Sequence, residues 1–130
     1  MAVSKMNGMR PTAEQCKANL MSIGDALYAI GGKWKLRIIV ALISGKKRFN
    51  ELQRLVEGIS AKVLSGELKE LELNGFIRRQ VFTGVPVIVY YELTEYAETL
   101  SDVLDSLGKW GAMHRERVKK SMKEKKQVAR

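Results

Sequence analysis

The sequence predicts an α+β fold, mostly α, in which two short helices and a two-stranded hairpin sit between two long helices. Three observations predict it. Residues 58–75 read as a helix with a marked start at Ser60 and a marked stop at Asn74-Gly75. A hydroxyl at the N-cap accepts from an unpaired N–H of the first turn, and Gly tolerates the left-handed conformation that ends a helix. Directly after Gly75 the apolar period changes from about 3.6 to about 2, the signature of strands. The first and last helical stretches carry apolar stripes larger than a small core can cover.

Length and charge bound the answer. A chain of 130 residues forms one domain with a modest core. No apolar run is long enough to span a bilayer, and the N-terminus lacks the order of a signal peptide. Cys16 is the one cysteine, which excludes an internal disulfide and fits a cytoplasmic location. The net charge is +9, with +6 of it in residues 115–130, where eight Lys or Arg face two Glu. A polyanionic partner fits that excess. The helix at residues 60–74 is not itself basic, since Lys62 and Lys69 stand against Glu67, Glu70 and Glu72.

Taken in order, residues 1–12 lack periodicity and read as a flexible arm. From about Ala13 to Ile30 a helix carries Leu20, Ile23, Leu27 and Ile30 on one stripe, and Gly31-Gly32 stops it. A second helix starts near Lys33, with Trp34, Ile38, Ala41 and Leu42 inward, and ends at Ser44-Gly45. Lys46-Lys47-Arg48 is a basic run in a short connection. A two-turn helix follows from Phe49 to Val56, with Phe49, Leu52, Leu55 and Val56 inward. Glu57-Gly58 turns tightly into the helix that displays Val63, Leu64, Leu68 and Leu71 to the core. Two short helices joined through a Gly-containing turn form a helix-turn-helix. Next come strand candidates at 76–82, with Ile77 and Val81 on one face, and at 87–93, separated by Thr83-Gly84-Val85-Pro86. Helix, turn, helix and hairpin in that order make a winged helix-turn-helix, with the hairpin as the two-stranded wing. Thr94 then caps a last long helix striped by Leu100, Val103, Leu104, Leu107, Trp110 and His114. The winged-helix domain with its dimerisation helices spans residues 13–114, and residues 115–130 form a basic tail.

Several phrases resemble the HxlR-type transcriptional regulators, relatives of the MarR group. They are Gly31-Gly32-Lys33-Trp34, Arg48-Phe49-Asn50-Glu51-Leu52 after Gly45, Gly58-Ile59-Ser60 with Lys62 and Leu64, Leu68-Lys69-Glu70-Leu71-Glu72 with Asn74-Gly75, Val85-Pro86, Tyr91 with Leu93-Thr94-Glu95, and Leu107 with Trp110. The resemblance covers about residues 20–114. It implies a homodimer joined by its first and last helices that controls a few promoters, often in response to a chemical signal it leaves unnamed. Interface candidates are Leu20, Leu27, Leu104, Leu107, Trp110 and His114. Many members carry a sensing cysteine about thirteen or fourteen residues before the Trp; here that place is Leu20-Met21. Cys16 is the candidate redox residue, and its earlier position argues against that role. Gly66 and Glu67 also depart from the family pattern, and Glu67 would repel phosphate unless it is turned towards the core.

The expected partner is double-stranded DNA, as a palindromic operator read by a symmetric dimer. Ser60, Lys62, Ser65 and Lys69 are expected to face the major groove. Lys46, Lys47, Arg48, Arg78 and Arg79 would ring the duplex, with Arg48, Arg78 and Arg79 as phosphate clamps. An enzyme is a poor fit: one His and one Cys lie far apart in the chain, and no phosphate loop, metal motif or paired CxxC is present. No cofactor, metal or catalytic residue is expected. The rival reading is a winged-helix protein-interaction module with reduced DNA affinity.

Overall fold

The computed structural model of the chain describes residues 10–128. In order it forms α1 (Ala13–Ile30), α2 (Lys35–Leu42), α3 (Phe49–Leu55), α4 (Ala61–Leu73), β1 (Ile77–Phe82), β2 (Ile88–Leu93), a 3-10 helix (Glu95–Leu100) and α5 (Ser101–Val128). Most of the expected arm, residues 1–9, lies outside the described residues, as do Ala129 and Arg130.

Local chemistry sets the boundaries. Thr12 caps α1 reciprocally: Gln15 N donates to Thr12 Oγ1 at 3.1 Å, and Thr12 N donates to Gln15 Oε1 at 2.8 Å. Arg48 precedes α3 in extended conformation, and its backbone N–H donates to Glu51 Oε1 at 3.0 Å. Ser60 caps α4 by accepting from Val63 N at 3.1 Å. Gly58 and Gly75, with φ of +88° and +82°, make the turns into and out of α4. Only glycine adopts that conformation without strain.

The core is built by α2 to α4, the hairpin base and the 3-10 helix. Ile38, Ile39 and Leu42 of α2 meet Leu52 of α3 and Leu64, Leu68 and Leu71 of α4. Phe76, Ile77, Ala97 and Leu100 close the other side. The antiparallel hairpin pairs Ile77 with Leu93, Arg79 with Tyr91 and Phe82 with Ile88.

Several expectations are corrected. Leu55, Val63 and Val81 are exposed rather than inward. Leu55 turns instead into an apolar groove that it lines with Leu36, Val40, Leu104 and Leu107. The basic run at 46–48 is more than a turn: Lys47 exchanges two backbone hydrogen bonds with Tyr91, at 3.0 and 2.8 Å, and so adds a bridge to the wing. Thr94 does not cap the last long helix. It leads into the 3-10 helix, and its hydroxyl donates to Gly75 O, tying the end of α4 to the base of the wing. Past His114 the helix propensity of the sequence is high, and α5 continues unbroken to Val128, so residues 115–128 of the basic tail are its C-terminal half.

Neither α1, with 18 residues, nor α5, with 28, has a single buried residue. Leu20, Ile23 and Leu27 of α1 and Leu107, Trp110 and Met113 of α5 are exposed. Helices of that length draw their stability from a packed apolar face rather than from propensity, and within one copy of this chain the apolar residues of α1 and α5 that pack on the core are Ala29, Ile30 and Leu104.

Candidate nucleic-acid interface

α4 presents two opposed faces. Leu64, Leu68 and Leu71 point into the core. Lys62, Ser65 and Lys69 follow each other at spacings of three and four residues, Gly66 sits beside Ser65 between the two lysines, and all are exposed. A Cβ added at Gly66 would meet nothing within 4 Å. The outer face is therefore low-profile at its centre and basic at both ends, a shape that lets a helix approach base edges closely.

Of the acidic residues of α4, Glu67 and Glu70 lie off this stripe, whereas Glu72 follows Ser65 and Lys69 along it. Glu67 and Glu70 turn towards α2, where the buried Lys35 reaches both: its Nζ lies 2.9 Å from Glu67 Oε2 and 2.6 Å from Glu70 Oε2. The hydrogen bond to Glu70 is the largest influence on Lys35 and raises its pKa above the ordinary lysine value; burial opposes it, and Glu67 adds to it. The repulsion expected of Glu67 is thus offset by a cation inside the motif. Sequence reasoning missed Lys35. A lysine in the first turn of α2 has no sequence-local partner, and α4 begins 26 residues later. Its one available signal was the unusual pair of carboxylates, i and i+3, beside a core stripe.

Arg79 lines a crevice with Ser65, Lys69, Glu72 and Tyr91, where the wing meets the outer side of α4. Arg78 does not join it. Adjacent strand residues point to opposite faces, and the Arg78 Nε donates to Glu92 Oε1 at 2.8 Å. Gln80 donates to the same carboxylate oxygen at 2.6 Å. Lys46 is on the Arg78 face too, with its ammonium 5.3 Å from the Phe82 ring centre and 4.7 Å from that of Tyr90. Arg78 and Lys46 border a cleft between the wing, α2 and α5 that also holds Glu92, Glu98 and Asp105. The Lys47 ammonium donates to Ser44 Oγ and Gly45 O. Arg48 stands exposed at the start of α3 and forms a shallow groove with Asn50, Glu51 and Arg54.

The expected footprint therefore divides. Ser60, Lys62, Ser65 and Lys69 are exposed on α4, with Arg79 beside them and Arg48 exposed on α3. Arg78 and Lys46 belong to the other side of the wing, and Lys47 is occupied by its own turn.

Among the interface candidates, Leu20, Leu27, Leu107 and Trp110 are exposed, and Leu104 is partly covered by the body. His114 stacks on Trp110 at 4.9 Å between ring centres, with 9° between the planes. Cys16 is exposed near the start of α1. Among the described residues, no group of three or more His, Cys, Asp or Glu could hold a metal ion, and no helix is long and apolar enough to cross a membrane.

Residues 29–119 match the family described as HxlR-like helix-turn-helix. A Bacillus subtilis relative, the HTH-type transcriptional regulator YtcD, is 48% identical over 105 residues, covering 81% of this chain and 82% of its own. The crystal structure of YtcD superposes with a TM-score of 0.70 at 47% identity, over 72% of this chain and 96% of that one. The redox regulator HypR in its reduced form gives a TM-score of 0.71 at 37% identity, over 76% and 98%.

Proposed function

We propose, from the premise that this chain belongs to the HxlR-like helix-turn-helix family, that α4 enters the major groove of a palindromic operator and that two copies of the chain read its two halves. The protein is a DNA-binding transcriptional regulator. One observation carries the assignment of the reading helix. The exposed stripe of Lys62, Ser65, Gly66 and Lys69 is backed by a buried lysine that holds two of the acidic residues of α4 away from it.

In this reading Lys62, Ser65 and Lys69 reach base edges and the flanking phosphates. Ser60 and the first turn of α4 meet a phosphate, where unpaired N–H groups and the helix dipole favour an anion. Arg79 and Arg48 hold the backbone on either side and fix register without reading sequence. The role is regulatory rather than catalytic, and its place is the cytoplasm, where promoters are.

The dimer follows from α1 and α5. Their exposed apolar faces, with Leu20, Leu27, Leu107 and Trp110, cover each other across a two-fold axis, and Leu104 and His114 lie at the margins. A symmetric dimer places its two reading helices about one helical turn of DNA apart, roughly 34 Å. The protein-interaction reading loses support because Lys35 offsets part of the charge of Glu67 and Glu70 inside the motif.

A gel-shift on the duplex immediately upstream of the protein's own coding sequence, with and without reductant, tests this reading. The expected result is a salt-sensitive shift at nanomolar protein that a scrambled duplex does not compete away. HypR is a redox regulator by name, and the arm with reductant asks whether Cys16 gives this chain a comparable response. No shift at 50 mM salt would sink the reading.

A further inference from the structure

We propose that the C-terminal half of α5 is a second, sequence-independent DNA-binding element, a cationic helix that grips duplex phosphates beyond the operator contacted by α4. This rests on the DNA reading above and extends it to a surface outside the winged helix.

The charge of α5 is polarised along its length. Its first half carries Asp102, Asp105 and Lys109, whereas residues 115–128 carry seven Lys or Arg against Glu116 and Glu124. All of residues 115–128 are exposed. Among the described residues the ion pair of this segment is Lys119 with Glu116, at 3.7 Å and with both side chains in solvent. Such a pair holds little, so the basic side chains are available to another anion. Arg115, Lys119, Lys123 and Lys126 recur at spacings of four, four and three and make one continuous basic stripe.

Geometry carries the stripe clear of the body. Gly108 is the last residue of α5 that lines either large groove of the winged helix. The helix runs on to Val128, 20 residues further, which at about 1.5 Å per residue is roughly 30 Å. The cationic part, residues 115–128, is about 20 Å of that length, and duplex DNA offers one phosphate charge per about 1.7 Å of axis, so it can engage several phosphates. Tethering to a module already bound to DNA raises its effective concentration, so weak contacts suffice. An anionic membrane fits less well. A helix that lies in the interface needs a broad apolar face, and within residues 115–128 the large apolar side chains are Val118, Met122 and Val128.

The test compares the full chain with the variant Lys119→Gln/Lys120→Gln/Lys123→Gln/Lys126→Gln, since Gln matches Lys in helix propensity. Circular dichroism and sedimentation check that fold and assembly are unchanged. Binding is measured on the upstream duplex and on a 60-base-pair random duplex between 50 and 300 mM KCl. Each lost phosphate contact lowers the slope of log K against log salt by about 0.9. The proposal expects a slope lower by at least about 2 and tenfold or greater weakening at 100 mM, equal on both duplexes, so that sequence preference is retained. An unchanged slope and affinity overturn it while leaving the α4 reading intact. So does lysine-dependent binding to vesicles of phosphatidylserine and phosphatidylcholine with unchanged DNA binding. Failure of the unaltered protein to bind either duplex removes the DNA reading and this proposal together.

Discussion

Replacing Lys35 by Met keeps an unbranched side chain one atom shorter and removes the charge that faces Glu67 and Glu70. Its magnitude follows from how each pair is exposed. The Lys35 side chain is 11% exposed and that of Glu67 23%, so this pair is mostly out of water; the Glu70 side chain is 59% exposed, and its pair is largely solvated. Removing one partner of a fully buried pair costs about 3–5 kcal/mol, and a surface pair contributes about 0–1 kcal/mol. Lys35→Met falls between these limits, at about 2 kcal/mol. With a urea m-value of about 2 kcal/mol/M for a chain of this size, the unfolding midpoint drops by about 1 M. Protein concentration must be held fixed, because assembly adds to apparent stability. Combining the change with Glu67→Gln distinguishes the ion pair from simple loss of packing: the two costs should fall short of additive by at least about 0.5 kcal/mol. A midpoint shift below about 0.2 M, or strictly additive costs, would refute the claim that Lys35 holds the carboxylates of α4. DNA binding provides a second readout. With Lys35 gone, Glu67 and Glu70 repel phosphate, and affinity should fall more than the loss of stability explains.

The other expectations follow from the same geometry. The pKa of Lys35 is raised in the folded chain, so its stabilisation is complete below the unfolded value near 10.5 and is lost as pH rises through the folded one; the stability gap between the unaltered protein and Lys35→Met should be flat from pH 6 to 9 and shrink only in stronger alkali. Arg79→Ala should lower the salt slope of DNA binding by about 0.9, while Arg78→Ala, which breaks a pair with Glu92 on the other face of the wing, should leave it unchanged; equal effects would contradict the division of the two faces. Gly58→Ala places a side chain at φ +88° and should destabilise by about 1 kcal/mol or more in urea titration. Gly66→Ala meets open space in a helix and should stabilise by about 0.5–1 kcal/mol. Leu107→Glu should shift sedimentation at micromolar concentration from dimer towards monomer, and an unchanged boundary would count against α5 as an interface.

The fold was legible where one residue type decides local conformation. Ser60 and Gly75 bound α4 through a cap and a left-handed turn, and the change of apolar period announced the wing. What escaped the sequence was long-range. Lys35 meets Glu67 and Glu70 only after α2 packs on α4. The Lys47 bridge to Tyr91 depends on the hairpin folding back towards α2. Thr94 preceding a helical stretch signalled a cap, but its hydroxyl is taken by Gly75 O, and the chain winds through a 3-10 helix before α5 begins. Separating Arg78 from Arg79 needed no structure, since strand alternation alone sends neighbours to opposite faces. Leu55 shows the limit of stripe counting: periodicity marks it as apolar and inward, yet it lines a groove next to α5 rather than the core. Gly66, a departure from the family pattern and a weak helix former, sits at the centre of the exposed stripe, where its missing side chain leaves room for a close approach.

The central claim is that α4 reads DNA through its outer stripe. Titrating the upstream duplex with the unaltered protein and with Lys62→Ala/Lys69→Ala, across a range of KCl concentrations, tests it most directly. The account predicts weaker binding, a slope lower by up to about 1.8 per protomer, and reduced preference for that duplex over a scrambled one. Undiminished affinity, slope and preference in the double variant would contradict it.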